Sequence, residues 1–413
     1  MKMNRLKNKK VRRWAQCLIA SMFVLTSGFF SACAEQPSGD HSGEDDGVPP
    51  VSELTDLTDE RYCNLYGRNF YNDGLEGMTF VNSASGFEVR FSGTQLSVSV
   101  QVITSGAVGY DRTMFSVFTD GETDSNACVI SMPKTIGAYE RFTLVEGLPD
   151  GEHTVRVLKR TPSNRDRCIV GQISTDGSFL AAPSRPQISL DVYGDSITCG
   201  EGVMREVTYQ PETGTYKDSA IYTADTQNVF QSYAGVAARE LGAELRVFGR
   251  GGIALKYKRP SDDFCILNNY RSMAVDLSLA RGECPEYDYS SWTPSAVVIY
   301  LGTNDYNIGR AYPEVGYSSD GMTYAVVQFI NEVVGMYYGK DTPIFLCSNM
   351  MVPDSGLDEC MERAKQILIA DYPNIRTVKF EAGITAPGGH PVVDDSETAG
   401  KLLASQIRDV LAN

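Results

Sequence analysis

The chain has 413 residues, of which 42% are hydrophobic and 22% are charged, a composition typical of globular domains. Ten cysteines are too few to build a disulfide scaffold of this size. The formal net charge of −15 argues against a nucleic-acid or other polyanionic partner and favours a neutral substrate.

The N-terminus predicts an export signal. A basic head is followed by an apolar run from Trp14 to Phe30, which is too short for a comfortable transmembrane helix. The run ends in FSAC, which resembles a bacterial lipobox in which Cys33 becomes the lipidated first residue. A plain signal peptide with a chance cysteine is the alternative. We expect residues 1–33 to be a lipoprotein signal peptide. The protein is then expected to be exported, to lie in the periplasm or on the cell surface, and to be held to the membrane by the lipid on Cys33 alone.

Residues 34–52 predict a flexible acidic tether, because they contain no apolar periodicity and no cluster of bulky apolar side chains. Removal of residues 1–33 would delete seven Lys and Arg residues and no acid, so the net charge would move from −15 to −22. Export permits disulfides, and Cys265 and Cys284 flank one loop-like segment. Their pairing cannot be read from the sequence.

Residues 53–183 predict an all-β sandwich. The segment FEVRFSGTQLSVSVQV alternates apolar and polar residues, and MFSVFTDGE, RFTLVEGLPDGEHTVRVLK and CIVGQISTDG continue the pattern. Short strands at regular spacing with polar turns are typical of sandwich folds. His153 lies in one of these alternating segments, so we expect it on a sheet face without a reactive role.

Residues 184–413 predict an α/β domain. Short apolar runs (ISLDVYG, AELRVFG, SAVVIYLG, PIFLCSN, IRTVKFE) alternate with segments of helical periodicity. Such alternation predicts a parallel sheet with helices on both faces, and reactive groups of such sheets collect at the carboxyl ends of the strands.

Ser196 follows the first of these runs, in YGDSIT, and needs a base to become a nucleophile. The chain has three histidines: His41 in the tether, His153 in the β half and His390 in the loop before the last helix. If a histidine activates Ser196, His390 is therefore the only credible one.

Acyl transfer also needs hydrogen-bond donors for the developing oxyanion. GRGG at 249–252 follows a strand and offers exposed backbone N–H groups, although a tight turn would read the same. LGTND presents the amide of Asn304, although an Asx turn or helix cap is the alternative. Serine, glycine, asparagine and histidine in this order, each after a strand, form a strong joint signal.

These four segments resemble the blocks of the SGNH hydrolases, also called the GDSL family, over 188–413. In the β half, YGRNFYNDG, RFSGTQLSVSV and LPDGEHTVRVLKRT resemble the jelly-roll domain of carbohydrate esterase family two. The resemblance implies a Ser196 nucleophile and a His390 base. It also implies an oxyanion hole of the Ser196 amide, the Gly251 amide, with Gly252 as the alternative, and the Asn304 side chain.

The chain departs from the SGNH pattern at the acid. Relatives usually carry an Asp two or three residues before the histidine, where this sequence has Pro387 and Gly388. Some members of the esterase family orient the histidine through a backbone carbonyl, and we expect this here. Asp394 and Asp395 lie on the other side of His390, where helix capping is the expected role.

Asp195 is expected to order the nucleophile loop. Tyr306 is a candidate for lining the sugar site, against simple packing.

The resemblance implies an esterase that removes acetyl groups from carbohydrate, such as xylan or another plant polysaccharide, without metal or cofactor. One alternative is an SGNH esterase that acts on another ester, such as a peptidoglycan O-acetyl group or a lipid. The other is a non-catalytic glycan-binding lipoprotein, which the missing acid would suit.

Overall fold

The computed structural model of the protein describes residues 48–106, 109, 112–122, 128–132, 138–218, 222–275, 284–381 and 389–412. The expected signal peptide, Cys33 and the tether up to residue 47 lie outside these ranges. Within them, no helix is both long enough and apolar enough to span a membrane.

Eleven strands of the N-terminal half join in one antiparallel sheet that branches at two strands. The strands are β1 (Val51–Leu54), β2 (Cys63–Tyr66), β3 (Asn69–Asn72), β4 (Gly77–Phe80), β5 (Gly86–Gly93), β6 (Leu96–Thr104), β7 (Thr113–Thr119), β8 (Cys128–Met132), β9 (Glu140–Val145), β10 (Gly151–Lys159) and β11 (Asp166–Phe179). Strand β11 pairs with β1, β4, β5 and β6, whereas β5 pairs with β2, β10 and β11.

The alternation read in the sequence sets the core of this half. Val89 and Phe91 of β5 pack with Val98 and Val100 of β6 in one buried cluster. Because side chains of a strand alternate between faces, these apolar residues share one side while Arg90 and Ser92 between them are only partly buried.

The second half forms a five-stranded parallel sheet with the strand order β15-β12-β16-β17-β18. Its strands are β12 (Ser189–Gly194), β15 (Glu244–Gly249), β16 (Ala296–Tyr300), β17 (Ile344–Ser348) and β18 (Ile375–Lys379). An antiparallel hairpin of β13 (Val207–Gln210) and β14 (Thr215–Asp218) lies outside the sheet. The helices are α1 (Tyr233–Leu241), α2 (Ile266–Asn269), α3 (Thr303–Ala311), α4 (Ser319–Ile330), α5 (Leu357–Leu368) and α6 (Val393–Leu411), and a π-helical segment, Asn331–Tyr338, continues α4.

Both faces of the parallel sheet are covered. Leu403 of α6 packs with Val192 of β12 in one cluster, whereas Phe329 of α4 and Met361 of α5 pack with Val297 of β16 in the other. A sheet buried on both faces needs apolar residues at successive positions, which is why its strands read as continuous apolar runs.

The expected fold class is therefore confirmed: an antiparallel β domain precedes an α/β domain with a parallel sheet. The five apolar runs correspond to the five parallel strands. Three elements were not expected: the hairpin β13–β14 and the helices α2 and α3.

Candidate active site

Ser196 and His390 meet although they are far apart in the chain. The Ser196 Oγ lies 2.6 Å from His390 Nε2, which is hydrogen-bond distance. Ser196 follows β12 at the carboxyl edge of the sheet, and its side chain is 6% exposed. This is the spacing at which an imidazole can take the hydroxyl proton.

The turn after β12 is fixed by its own side chains. Asp195 Oδ1 accepts a hydrogen bond of 2.9 Å from the Ile197 N–H, and the Thr198 hydroxyl is 2.7 Å from the Tyr233 hydroxyl of α1. A Cβ on Gly194 would lie 1.9 Å from Thr198 Oγ1, so only glycine fits there. The expectation that Asp195 orders this loop agrees with these contacts.

The His390 loop is held from the side of the nucleophile. The buried Arg205 donates to the His390 backbone oxygen and, at 2.9 Å, to the Gly202 oxygen. The Tyr222 ring meets the imidazole edge-on, with centroids 5.3 Å apart. Pro387 and Gly388, where we expect a carbonyl acceptor for the histidine, lie outside the described residues.

Asp394 and Asp395 lie in the first turn of α6. Asp395 Oδ2 accepts a hydrogen bond of 3.1 Å from the Val392 N–H at the helix start. A negative carboxylate in the first turn of α6 interacts favourably with the positive end of the helix dipole, which agrees with the expected capping role.

Gly251 and Asn304 follow the two strands that flank β12, so the sheet order brings them toward Ser196. The Asn304 amide nitrogen donates to the Ile253 oxygen at 3.0 Å and to Asp195 Oδ2 at 3.3 Å. A Cβ on Gly251 would lie 2.4 Å from Glu201 Oε2, so a larger residue there would require the end of the Glu201 side chain to move. Gly252 needs to be glycine for conformation, with φ of 74°.

Asp305 joins the loops that carry these two residues. Its buried carboxylate accepts three backbone hydrogen bonds of 2.8 Å, from the N–H groups of Leu255, Lys256 and Tyr257. Burial raises the pKa of Asp305 above its ordinary value. The sequence pattern predicts no role for Asp305.

Asp195 is also fully enclosed. Burial, with the nearby charges of Asp305 and Glu201, raises the pKa of Asp195 to about 7, although the hydrogen bond from Ile197 opposes the shift. A carboxyl group that titrates near neutrality thus lies against the Asn304 amide.

The other residues considered in the sequence, Tyr306, His153 and the two cysteines, contact neighbouring residues of the fold. Tyr306 packs edge-on against Tyr317, with centroids 6.1 Å apart, beneath the Arg310 guanidinium. His153 is buried, with Nδ1 2.6 Å from Asp120 Oδ2 and Nε2 2.8 Å from the Pro149 oxygen. Cys265 and Cys284 are both unbonded thiols.

Across the described ranges, no group of three or more His, Cys, Asp and Glu side chains could hold a metal ion.

Comparison with known proteins finds similarity to carbohydrate esterases. Residues 66–183 match the carbohydrate esterase 2 N-terminal family. The chain is 28% identical over 305 residues to the cellulase/esterase CelE of Acetivibrio thermocellus, covering 74% of this chain but only 33% of that protein. It is 24% identical over 297 residues to an acetylxylan esterase / glucomannan deacetylase of Cellvibrio japonicus, covering 71% and 72% of the two chains.

Solved structures of carbohydrate esterases have a similar fold. A family two carbohydrate esterase from Clostridium thermocellum, solved in complex with cellohexaose, superposes with a TM-score of 0.67 at 24% identity. The match covers 85% of this chain and 99% of the other, so it includes both sheets.

Proposed function

We propose that the chain is an SGNH hydrolase of the carbohydrate esterase family two type, and that it removes acetyl groups from carbohydrate through an acyl-serine intermediate. The single observation that carries the proposed chemistry is the 2.6 Å contact between Ser196 Oγ and His390 Nε2. The substrate is an acetylated polysaccharide or oligosaccharide, xylan among the candidates.

In the first half-reaction, His390 Nε2 takes the Ser196 proton as Oγ forms a bond to the acetyl carbonyl carbon. The negative charge that develops on the carbonyl oxygen is stabilised by the Ser196 and Gly251 amides and the Asn304 side chain. Collapse of this intermediate breaks the bond to the sugar oxygen, which leaves with the proton held by His390. In the second half-reaction, water attacks the carbonyl carbon of the acetyl-serine and His390 accepts a proton from the water. The bond from that carbon to Ser196 Oγ then breaks, Oγ takes the proton back from His390, and acetic acid leaves as acetate and a proton.

Other SGNH activities, on a peptidoglycan O-acetyl group or a lipid ester, use the same chemistry and differ in the substrate. A non-catalytic glycan-binding role is less well supported, because binding does not require a serine and a histidine within hydrogen-bond distance of each other. The similarity to an acetylxylan esterase / glucomannan deacetylase favours a carbohydrate ester as the substrate over these other esters.

The test measures acetate release from acetylated xylan and glucomannan, from a peptidoglycan O-acetyl substrate and from longer-chain aryl esters. Ser196→Ala and His390→Ala should each lower turnover of the preferred acetyl ester roughly a thousandfold or more, and the double variant should be little worse, because the two groups act as a unit. A His390→Ala enzyme that keeps most of its activity would show that the base is assigned wrongly. Absence of Ser196-dependent turnover with every ester would favour the binding role.

We also propose export and lipid attachment through Cys33, which the FSAC segment after the apolar run supports. Cys33→Ala should release the protein from the membrane fraction of the producing bacterium, with Cys17→Ala as the matched control that stays bound. Fractionation followed by immunoblotting measures this. Persistent membrane association of Cys33→Ala would count against the lipobox interpretation.

A further inference from the structure

A turn of the antiparallel domain reaches the candidate active site. It spans residues 160–165, between β10 and β11, and a buried ion pair between Lys159 and Asp166, 2.8 Å apart, closes its base. The Arg160 guanidinium donates two hydrogen bonds, of 2.8 and 3.1 Å, to the Gln227 oxygen of the α/β domain. The turn is therefore fixed both to its own sheet and to the domain that carries Ser196.

This turn delivers Arg165 to a carboxylate beside the nucleophile. Arg165 Nη2 lies 2.7 Å from Glu201 Oε1, with the two side chains 23% and 10% exposed. Glu201 belongs to the nucleophile loop, because its N–H donates to the Ser196 oxygen at 2.9 Å. Each domain thus supplies half of one ion pair.

The second carboxylate oxygen lies beside Gly251, whose amide belongs to the proposed oxyanion hole. A Cβ on Gly251 would lie 2.4 Å from Glu201 Oε2 and 3.5 Å from Asn164 Nδ2, so the carboxylate and the turn both border Gly251. Among the described residues, no donor lies within hydrogen-bond reach of Oε2. An acceptor is therefore held beside Gly251, with one oxygen engaged by Arg165 and the other without a donor from the described part of the chain.

A carboxylate is a strong acceptor for hydroxyl groups, and charge-assisted hydrogen bonds are about twice as strong as neutral ones. In an acetylated sugar, a free hydroxyl lies on the carbon next to the ester, a few ångströms from the carbonyl that enters the oxyanion hole. A bare anion so close to a developing oxyanion would oppose catalysis, and the Arg165 guanidinium offsets this charge.

Resting on the proposed function, we propose that Glu201, positioned by Arg165, accepts a hydrogen bond from a sugar hydroxyl next to the scissile ester. The pair makes the enzyme select esters of polyhydroxylated alcohols over otherwise similar acetyl esters. Glu201 is a substrate-contacting residue, and Arg165 is a positioning residue that acts through it.

The test compares substrates within each variant. The probes are the mono-acetylated methyl xyloside that the wild-type protein cleaves fastest and its deoxy analogue, which lacks the hydroxyl next to the ester. Wild type should prefer the hydroxylated ester on the order of 10- to 100-fold in kcat/KM, the range that a hydrogen bond to a charged group corresponds to. Glu201→Gln should compress this preference to within about threefold, because the charged acceptor and its pairing with Arg165 are both lost.

Arg165→Met should compress the same ratio, and Arg165→Lys should restore part of it, which loss of packing alone would not produce. Glu206→Gln, which removes an exposed carboxylate from the same loop, is the control and should keep the wild-type ratio. A wild type without preference, or a Glu201→Gln enzyme that keeps it while slowing on both esters, overturns the proposal. A failure of the proposed function is distinct, since wild type would then show no Ser196-dependent turnover of either ester.

Discussion

Asn304 carries a conflict between two roles at the scale of one residue. Its amide nitrogen has two protons, and both are engaged, by the Ile253 oxygen at 3.0 Å and by Asp195 Oδ2 at 3.3 Å. An oxyanion must therefore displace or share one of these bonds. The longer bond to Asp195 is the weaker of the two and is the one that can be shared.

Asn304→Ala should lower kcat for an acetyl ester about 100- to 1000-fold with a small change in KM, since an oxyanion donor acts in the transition state. Steady-state kinetics measure this, and the exposed Asn307→Ala of the same helix should behave as wild type. A loss below tenfold would mean that the amide serves mainly to hold Asp195 and Ile253.

Asp195 predicts a pH dependence of stability. Its folded pKa of about 7 lies above the ordinary 3.8, so the folded protein keeps a proton that the unfolded chain releases. The stabilising contribution of this proton is full below about pH 4 and is lost as the pH rises through about 7. Asp195→Asn cannot titrate, so it should lose less stability than wild type between pH 5 and pH 8.

Urea unfolding at both pH values measures this difference, with Asp73→Asn, which removes an exposed carboxylate, as the control that follows wild type. An Asp195→Asn protein that loses as much stability as wild type over this interval would show that Asp195 is ionised throughout.

At the scale of elements, the sequence predicts those that bury an apolar face. The strands of the parallel sheet are continuous apolar runs, and α5 carries an apolar stripe that includes Met361 and Ala364. Helix α3, in contrast, buries only Thr303, Asp305 and Ile308, so its sequence has no apolar periodicity to detect. The hairpin β13–β14 has no buried position on its first strand, so its sequence also lacks an apolar pattern that would predict it.

The same reasoning separates the site residues that could be predicted from those that could not. Ser196, Gly251 and Asn304 each follow an apolar run, so strand order alone brings them to one edge. Glu201 and Arg165 form a pair across 36 positions, and Asp305 reaches Leu255 across 50. Such pairs depend on the packing of loops from different elements, which no local pattern records.

At the scale of the whole molecule, Arg68 links the two sheets. It lies in the turn between β2 and β3, is 3% exposed, and donates to the Tyr270 oxygen at 2.9 Å and to the Tyr193 hydroxyl at 2.9 Å. Its guanidinium lies 4.1 Å from the ring centres of Phe248 and Tyr287 and 4.0 Å from the Asp191 carboxylate. One residue of the antiparallel domain therefore serves as the counter-charge and donor inside the other domain.

Arg68→Leu should destabilise the protein by about 3–5 kcal/mol, because it leaves Asp191 as a buried, uncompensated charge and removes donors from buried acceptors. The midpoint of urea unfolding, followed by fluorescence and by circular dichroism, measures this. The matched control is Arg61→Leu, whose side chain is 63% exposed and pairs with Asp59, and which should stay within about 0.5 kcal/mol of wild type. Fluorescence and circular dichroism should report a single unfolding transition in wild type, since the turn that carries Arg68 cannot leave its pocket without opening the α/β core. An Arg68→Leu protein of wild-type stability, or two separate transitions in wild type, would show that the domains fold independently and that Arg68 only fills the space between them.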